Sequence, residues 1–192
     1  LDVREAGGRG LGRLARTGGI EGVVRDSLGL PLQGVRVGVV GSNQEVYSNS
    51  DGRYSITELP EGRYRVRFVD ERLEVMGYVS DPLERDVVPG EMSWLEYVTP
   101  SSGDVLFEAC RGEVVADNLV RLAGVVVDEK GQGVPLATVR VGYTRFRLPT
   151  GTILQDQSWM EITTTREGFF KFCGVPPNTR LTVDASLGEF MS

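Results

Sequence analysis

The chain of 192 residues carries a formal net charge of −6 at pH 7 and contains no histidine. The net acidity argues against nucleic acid as a partner, because phosphate binding requires a net basic surface. The lack of histidine removes the commonest general base and the commonest zinc ligand, so we expect no enzyme, no metal site and no other cofactor. No apolar run approaches the roughly 20 residues that cross a bilayer, which predicts no transmembrane segment.

Residues 1–18 are predicted to form a tail or linker, because glycines alternate with arginines between residues 7 and 18. Glycine loses too much conformational entropy on ordering for such a segment to form a regular element unaided. The first domain is therefore expected to begin at residue 19.

Residues 19–100 are predicted to form a first antiparallel β-sandwich. Apolar and polar residues alternate in the runs 35–39, 53–57 and 63–68, with the period of two that places successive side chains on opposite faces of a strand. Clusters of glycine, proline, serine and aspartate separate these runs and are typical of turns. Two further strands are expected near residues 72–79 and 92–99. Four arginines are expected to share one solvated outward face on neighbouring strands: Arg53, Arg63, Arg65 and Arg67.

One short helix is predicted to follow the first sandwich. Pro100 ends the preceding strand, and Ser101 stands three residues before Asp104 in an arrangement similar to a capping box. Apolar residues then recur at helical spacing, and Gly112 can end the helix. The spacing places Cys110 near the end of this helix, facing the second sandwich.

The second half of the chain repeats the first. Three segments return with similar spacing: Gly22–Gly29 as Gly124–Gly131, Pro31–Val37 as Pro135–Val141, and Asp51–Ile56 as Glu167–Phe172. Such a repeat indicates two similar domains in tandem. Residues 101–192 are therefore predicted to comprise the linking helix and a second β-sandwich.

The second copy contains an insertion between Val141 and Thr165 that the first copy lacks. It holds three aromatic residues that are candidates for ligand binding: Tyr143, Phe146 and Trp159. Flat aromatic rings beside amide and carboxylate groups could stack on a sugar ring and bond its hydroxyls, which indicates a glycan as one possible ligand. The alternative is that these rings simply pack onto the sandwich.

The second copy also ends soon after the strand that matches Tyr64–Phe68. If Ser192 is a natural end, the second sandwich is incomplete by one or two strands and exposes backbone that can recruit a strand from another chain. The N-terminal segment of a neighbouring copy could then complete it, giving a head-to-tail assembly. The alternative is that the chain is a fragment of a longer surface protein.

Cys110 and Cys173 both fall in the second copy. An even count is compatible with one disulfide, which would favour an oxidising compartment. The alternative is two buried free thiols in a cytosolic protein.

The repeated pattern resembles the carboxypeptidase regulatory-like domain. It consists of Gly-Val-Val-x-Asp, a Pro-Leu segment with a following Val-x-Val, and Asp/Glu-Gly-x-Tyr/Phe closed by Leu/Val-Pro. The resemblance implies a transthyretin-like (prealbumin-like) β-sandwich in which Gly52 and Gly168 permit tight turns and Asp51 caps the first of them. It also fits a family variant in which a preceding helix is joined to the sandwich by a Cys110–Cys173 disulfide. Members of this family are non-catalytic appendages of metallocarboxypeptidases, TonB-dependent receptors and bacterial surface proteins.

Together these features predict an all-β protein of two tandem Ig-like or transthyretin-like antiparallel β-sandwiches with one short linking helix. The predicted function is a non-catalytic structural, docking or assembly module, outside the cell or in the bacterial cell envelope. Its expected partners are proteins, including self-association by strand addition. The alternatives are a glycan-binding module that uses the insertion, and a regulatory appendage of a larger enzyme or TonB-dependent receptor.

Overall fold

The computed structural model describes residues 16–113, 116, 118–147, 151 and 153–188. The chain separates into two compact units. The first comprises Leu1–Asp70 with Ser80–Thr99, and the second comprises Glu71–Val79 with Pro100–Ser192. Strands dominate both units, and the predicted all-β fold is confirmed.

The first unit is a sandwich of two sheets. Its strands are β1 (Thr17–Arg25), β2 (Arg36–Val39), β3 (Glu45–Tyr47), β4 (Arg53–Pro60), β5 (Gly62–Val69), β6 (Leu83–Val87), β7 (Met92–Trp94) and β8 (Tyr97–Val98). One sheet has the order β4-β1-β7, with β8 also pairing with β1, and the other has the order β3-β2-β5-β6. The pairs β1–β7 and β1–β8 are parallel, whereas the remaining pairs in this unit are antiparallel.

The last two strands of the first unit along the chain, β7 and β8, help to fill its core. The Phe68 ring on β5 stacks on Tyr97 of β8 with a centroid distance of 4.4 Å, and it meets Tyr54 edge-on at 5.6 Å. Leu95, between β7 and β8, is only 4% exposed. The segment that contains β7 and β8 therefore pairs with the edge of β1 and also places side chains in the core.

The prediction of a strand near residues 72–79 is wrong. This segment contains a short helix, α1 (Glu71–Glu74), of which only Leu73 is buried. The chain leaves it through Gly77, whose φ of +82° lies in the left-handed region that favours glycine. The next strand along the chain that pairs with β5 is β6, several residues further on. The strand expected near residues 92–99 is present but is divided into β7 and β8 at Leu95.

In the part of the second unit that the structure describes there are five strands, the short helix α1 and the predicted helix. The strands are β9 (Val120–Val125), β10 (Thr138–Arg147), β11 (Leu154–Thr163), β12 (Phe169–Val175) and β13 (Leu181–Ser186), arranged as a β12-β9 pair and a β11-β10-β13 sheet. All of these pairs are antiparallel. The helix is α2 (Ser102–Ala109), and the Asp104 N–H donates to the Ser101 hydroxyl at 3.1 Å, which confirms the predicted cap.

The same turn chemistry is present in both units. The Asp26 carboxylate accepts the N–H groups of Leu28 and Leu30, and the Asp128 carboxylate accepts those of Lys130 and Gln132 in the same pattern. These carboxylates satisfy turn backbone, as expected for aspartate at such positions.

Two buried hydroxyls fix which residues of the copies are equivalent. Ser48 accepts the Val35 N–H and donates to the Leu32 carbonyl. Thr164 accepts the Ala137 N–H and donates to the Val134 carbonyl. Val35 is therefore equivalent to Ala137, and Leu32 is equivalent to Val134.

This equivalence shows that the expected match of Pro31 with Pro135 is wrong by two residues, since Pro31 corresponds to Gly133. It also places Leu136 at the position of Gly34. Both residues have positive φ, +57° and +80°. Leucine rarely adopts this conformation, because its Cβ approaches the carbonyl oxygen too closely.

The prediction that Asp51 caps the tight turn at Gly52 is wrong. The Asn49 side chain makes this contact, because its amide oxygen accepts the N–H groups of Asp51 and Arg53. In the second unit the Thr165 hydroxyl takes the same role. The glycine that follows in the first unit, Gly52, has a φ of +71°, as its tight turn requires.

Helix α2 is joined to the outer face of the β12-β9 sheet. A disulfide links Cys110, at the helix end, to Cys173 on β12, across a sequence separation of 63 residues. The Lys171 ammonium group on β12 donates to the Ala109 carbonyl. The guanidinium of Arg121 on β9 lies 4.5 Å from the ring centroid of Phe107 on the helix. The helix therefore covers the outward face of this sheet.

We predict that replacing both cysteines by serine destabilises the second unit and leaves the first unchanged. Closing a loop of this length contributes about 4 kcal/mol in the chain-entropy model, so we expect a loss of about 2 to 4 kcal/mol. Each unit has one tryptophan, Trp94 in the first and Trp159 in the second. Urea unfolding followed by fluorescence of the single-tryptophan forms, W94F and W159F, therefore reports each unit separately.

Reduction of the wild-type disulfide is the matched control and should reproduce the loss. An equal loss in both units, or no loss in the second, would contradict the assignment.

Candidate functional site

An aromatic surface lies on the outward face of the β11-β10-β13 sheet. Trp159 on β11 is directly opposite Gly142 on β10. A Cβ atom on Gly142 would collide with the Trp159 ring, so the ring lies over the glycine backbone and only glycine fits beneath it. The tryptophan is nevertheless 46% exposed. Its outer side is therefore accessible to a ligand.

The structure separates the three aromatic residues expected to act together. Phe146 is exposed and lies an even number of residues from Gly142, so it shares the outward face with Trp159. Tyr143 points to the opposite, inward face and is buried. Its hydroxyl accepts a hydrogen bond from Arg145 at 3.0 Å. The alternative of packing onto the sandwich is thus the arrangement that Tyr143 adopts.

Polar groups lie on the same sheet face as the Trp159 ring. The Arg140 guanidinium lies 5.4 Å from the ring centroid and 3.3 Å from the Glu161 carboxylate on β11. Gln157 and Thr182 occupy outward positions on the two neighbouring strands, β11 and β13. An exposed indole face bordered by such groups can stack on an apolar ring face and bond hydroxyls at its edge.

A second candidate surface is the edge of β9, and the first unit shows what occupies the matching edge of β1. The Gly19 N–H donates to the Glu91 carbonyl at 3.0 Å. The Leu95 N–H donates to the Glu21 carbonyl at 2.8 Å. The segment that carries β7 and β8 therefore satisfies the β1 backbone.

The equivalent edge of β9 has no such strand within the part of the chain that the structure describes, because β9 pairs only with β12. Its backbone groups at Arg121 and Ala123 correspond to those of Gly19 and Glu21. Likewise, β13 pairs only with β10 among the described strands, whereas its counterpart β5 also pairs with β6.

The inward face of β13 is uncovered where that of β5 is buried. Val183 is 48% exposed, whereas the equivalent Val66 is 0% exposed. Ala185 pairs with Val139 as Phe68 pairs with Val37, so alanine stands where the first unit has its central aromatic ring. The open edge of β9 and this uncovered face together form what we call the acceptor groove: β9 together with Val183 and Ala185.

The contact that Tyr54 makes with the β7–β8 segment of the first unit has no counterpart in the second unit. The Tyr54 hydroxyl donates to the Leu95 carbonyl at 2.6 Å, and burial raises the pKa of this phenol above its ordinary value. Phe170 stands in the place of Tyr54 and has no hydroxyl. Its ring instead lies against Gly124, with the nearest carbon 2.7 Å from where a Cβ would be.

The arginines of the first unit do not form one shared face. Arg53 lies on β4, in the sheet opposite to β5, which corrects the expectation that it joins the β5 arginines. Arg63 on β5 makes an ion pair with Asp86 on β6 at 2.8 Å, and this hydrogen bond lowers the pKa of the Asp86 carboxyl. Both side chains of this ion pair are exposed, so the pair belongs to a solvated surface.

Within the described ranges, no three histidine, cysteine, aspartate or glutamate side chains are grouped so as to hold a metal ion. Neither described helix has the length and apolar character needed to span a membrane.

Comparison with known proteins supports the resemblance seen in the sequence. Residues 19–80 match the carboxypeptidase regulatory-like domain family. No curated protein matches the chain.

Several solved structures are similar at low identity. A streptococcal ancillary pilin is 14% identical with a TM-score of 0.38, over 92% of this chain and 60% of the pilin. The Bacillus anthracis TIE protein is 19% identical with a TM-score of 0.39, over 88% and 31%. A shaft pilin from Lactobacillus rhamnosus GG is 11% identical with a TM-score of 0.33, over 90% and 88%. The chain thus spans less than two thirds of the first two proteins. The resemblance of the first copy, at residues 19–80, to the carboxypeptidase regulatory-like domain is confirmed.

Proposed function

We propose that this protein is a non-catalytic structural and docking module outside the cell or in the cell envelope, and that the acceptor groove is its docking surface. The observation that carries the proposal is the difference between two equivalent strands. The backbone of β1 is satisfied by β7 and β8, whereas β9 has an open edge within the described residues. An open edge beside an uncovered apolar face is a site for strand addition.

Two further features support this proposal. The Cys110–Cys173 disulfide is the kind of bond that persists in oxidising compartments. The first copy resembles the carboxypeptidase regulatory-like domain, and this resemblance implies a non-catalytic appendage.

Ala123 is the position at which docking can be blocked without damage to the sheet. The equivalent Glu21 uses its carbonyl to accept the Leu95 N–H, so its backbone groups point away from β4 and toward the paired edge. A residue of an antiparallel ladder directs its N–H and C=O to the same side. The Ala123 N–H therefore points to the open edge, and proline there removes no hydrogen bond to β12.

We predict that the wild-type chain binds a fluorescent peptide of residues 91–99 and that A123P weakens this binding at least about tenfold, since one strand-addition hydrogen bond is lost and the proline ring obstructs the strand. The A123S variant retains the N–H and is the matched control, expected to bind as the wild type does. Fluorescence anisotropy measures the affinities, and circular dichroism checks that the variants are folded. Equal binding by A123P, or no binding by the wild type, would refute the docking surface.

A glycan is the second candidate ligand, favoured by the exposed face of Trp159 over Gly142. In this function Trp159 supplies the stacking platform, Phe146 extends the apolar surface on the same face, and Gln157 and Thr182 supply hydrogen bonds. Tyr143 supports the sheet from the inward side. The platform and the acceptor groove are separate surfaces, so the two functions can be tested independently.

If this surface binds a glycan, W159A should lower retention on insoluble cellulose, chitin or peptidoglycan at least about tenfold, because aromatic stacking and its buried area are lost. The W94A variant removes a similarly exposed tryptophan from the first unit and is the matched control. Pull-down isotherms measure the retention. Equal retention by W159A and the wild type on every polymer, or no retention at all, would exclude this function.

A further inference from the structure

We infer that the aromatic surface of the second unit binds an uncharged, unbranched polysaccharide whose chain lies along β10. This inference rests on the proposed glycan-binding function and adds the shape, the direction and the charge of the ligand. The surface consists of the exposed rings of Trp159 and Phe146 with the polar side chains between and beside them. It lies on the outward face of the β11-β10-β13 sheet, so it is independent of the edges of β9 and β13.

The two exposed aromatic rings lie in one line along β10, although they come from different strands. Trp159 belongs to β11, but its ring reaches across and covers Gly142 of β10, with one ring carbon 2.3 Å from the place that a Cβ would occupy. Phe146 belongs to β10 itself and lies further along the same face. At about 3.4 Å per residue, the two rings are about 14 Å apart along the strand. A ligand that covers both rings is therefore a chain of several sugars.

A row of polar side chains separates the two aromatic rings. Thr144 on β10 is directly opposite Gln157 on β11, and opposed residues of a ladder share a face. Aromatic rings stack on sugar rings, whereas hydroxyl and amide groups bond their hydroxyls. The order along β10 thus fits an extended chain whose outer rings stack and whose middle ring is hydrogen-bonded. Cellulose and chitin chains have this flat, extended shape, whereas amylose coils.

The charged groups at one end of this row favour an uncharged ligand. The Arg140 guanidinium on β10 lies 3.3 Å from the Glu161 carboxylate on β11. Asp184 on β13 is opposite Arg140 on the other side and is exposed. Two carboxylates beside one guanidinium give this end a negative balance, which repels a polymer of uronic acids or phosphates.

The first unit lacks this surface, although its framework is similar. Its equivalent strands, β2 and β3, have 4 and 3 residues, whereas β10 and β11 have 10 each. Val40 stands in the place of Gly142. In the described ladder, β13 accompanies β10 only as far as Tyr143, so the distal part of β10 and β11 is a two-stranded extension of the sheet. This extension carries Phe146 and the polar row, and it is specific to the second unit.

The test compares soluble oligosaccharides of defined length for binding to the full chain. Isothermal titration calorimetry measures the affinities of cellobiose and cellohexaose, and of chitobiose and chitohexaose as a second series. In at least one series we expect the hexasaccharide to bind at least about tenfold more tightly than the disaccharide, because only the longer chain reaches both rings. Maltohexaose has the same sugar as cellohexaose in a coiled chain and should bind more weakly than the better hexasaccharide. Polygalacturonate tests a charged chain and should not bind.

Replacement of Phe146 distinguishes a chain along β10 from a single stacking site. F146A should weaken binding of the hexasaccharide about tenfold and leave binding of the disaccharide unchanged, because the shorter ligand stacks only on Trp159. W159A should weaken binding of both lengths. The F146Y variant keeps an aromatic ring and is the matched control, expected to bind as the wild type does. Circular dichroism checks that the variants are folded.

Three results would overturn the inference while leaving Trp159-dependent glycan binding intact. These are equal affinity for the two lengths, an equal effect of F146A on both lengths, and a preference for maltohexaose or polygalacturonate. Trp159-dependent retention on an insoluble polymer without binding of any hexasaccharide would also overturn it. Failure of every oligosaccharide and every polymer to bind would overturn both the inference and the glycan-binding function.

Discussion

The constraint on which the architecture depends is that both edges of a central strand need hydrogen-bond partners. In the first unit β1 is paired with β4 on one side and with β7 and β8 on the other. The filling segment also completes the core, since Leu95 and Tyr97 belong to it. Gly22 is required beneath it, because a Cβ there would collide with the Leu95 carbonyl. Backbone pairing, core filling and one obligatory glycine are thus parts of a single arrangement.

The second unit repeats the turns of the first unit, but it differs in the elements that cover its sheets. The turn residues Asp128, Thr164 and Thr165 repeat the hydrogen bonds of the first unit. The outward face of its β12-β9 sheet is covered by helix α2, which the disulfide holds in place. Covalent attachment of the helix can stabilise a small sandwich whose described strands leave part of the inward face open. A stable scaffold with an open edge is the combination that strand docking requires.

Much of the fold could be predicted from the sequence, because turns and alternating strands depend on short-range chemistry. The helix was marked by Ser101 and Asp104, and the strands by their period of two. The register of the repeat could not be read from matching letters, since Pro31 and Pro135 look equivalent but the hydroxyls of Ser48 and Thr164 set a different alignment. The site was predicted only in part. Strand alternation could have placed Tyr143 and Trp159 on opposite faces, but that requires the cross-strand register, which is a long-range property.

The most direct test of the central claim is amide hydrogen exchange of the isolated chain, comparing Gly19 with Arg121 by NMR. These equivalent N–H groups sit on the outer edges of β1 and β9, and the first donates to Glu91. A hydrogen-bonded amide exchanges only when its hydrogen bond opens, so slow exchange shows that the edge is paired. We predict strong protection at Gly19 and exchange at Arg121 close to the rate of an unprotected amide. Equal protection at both positions would show that the β9 edge is already occupied and would contradict the account.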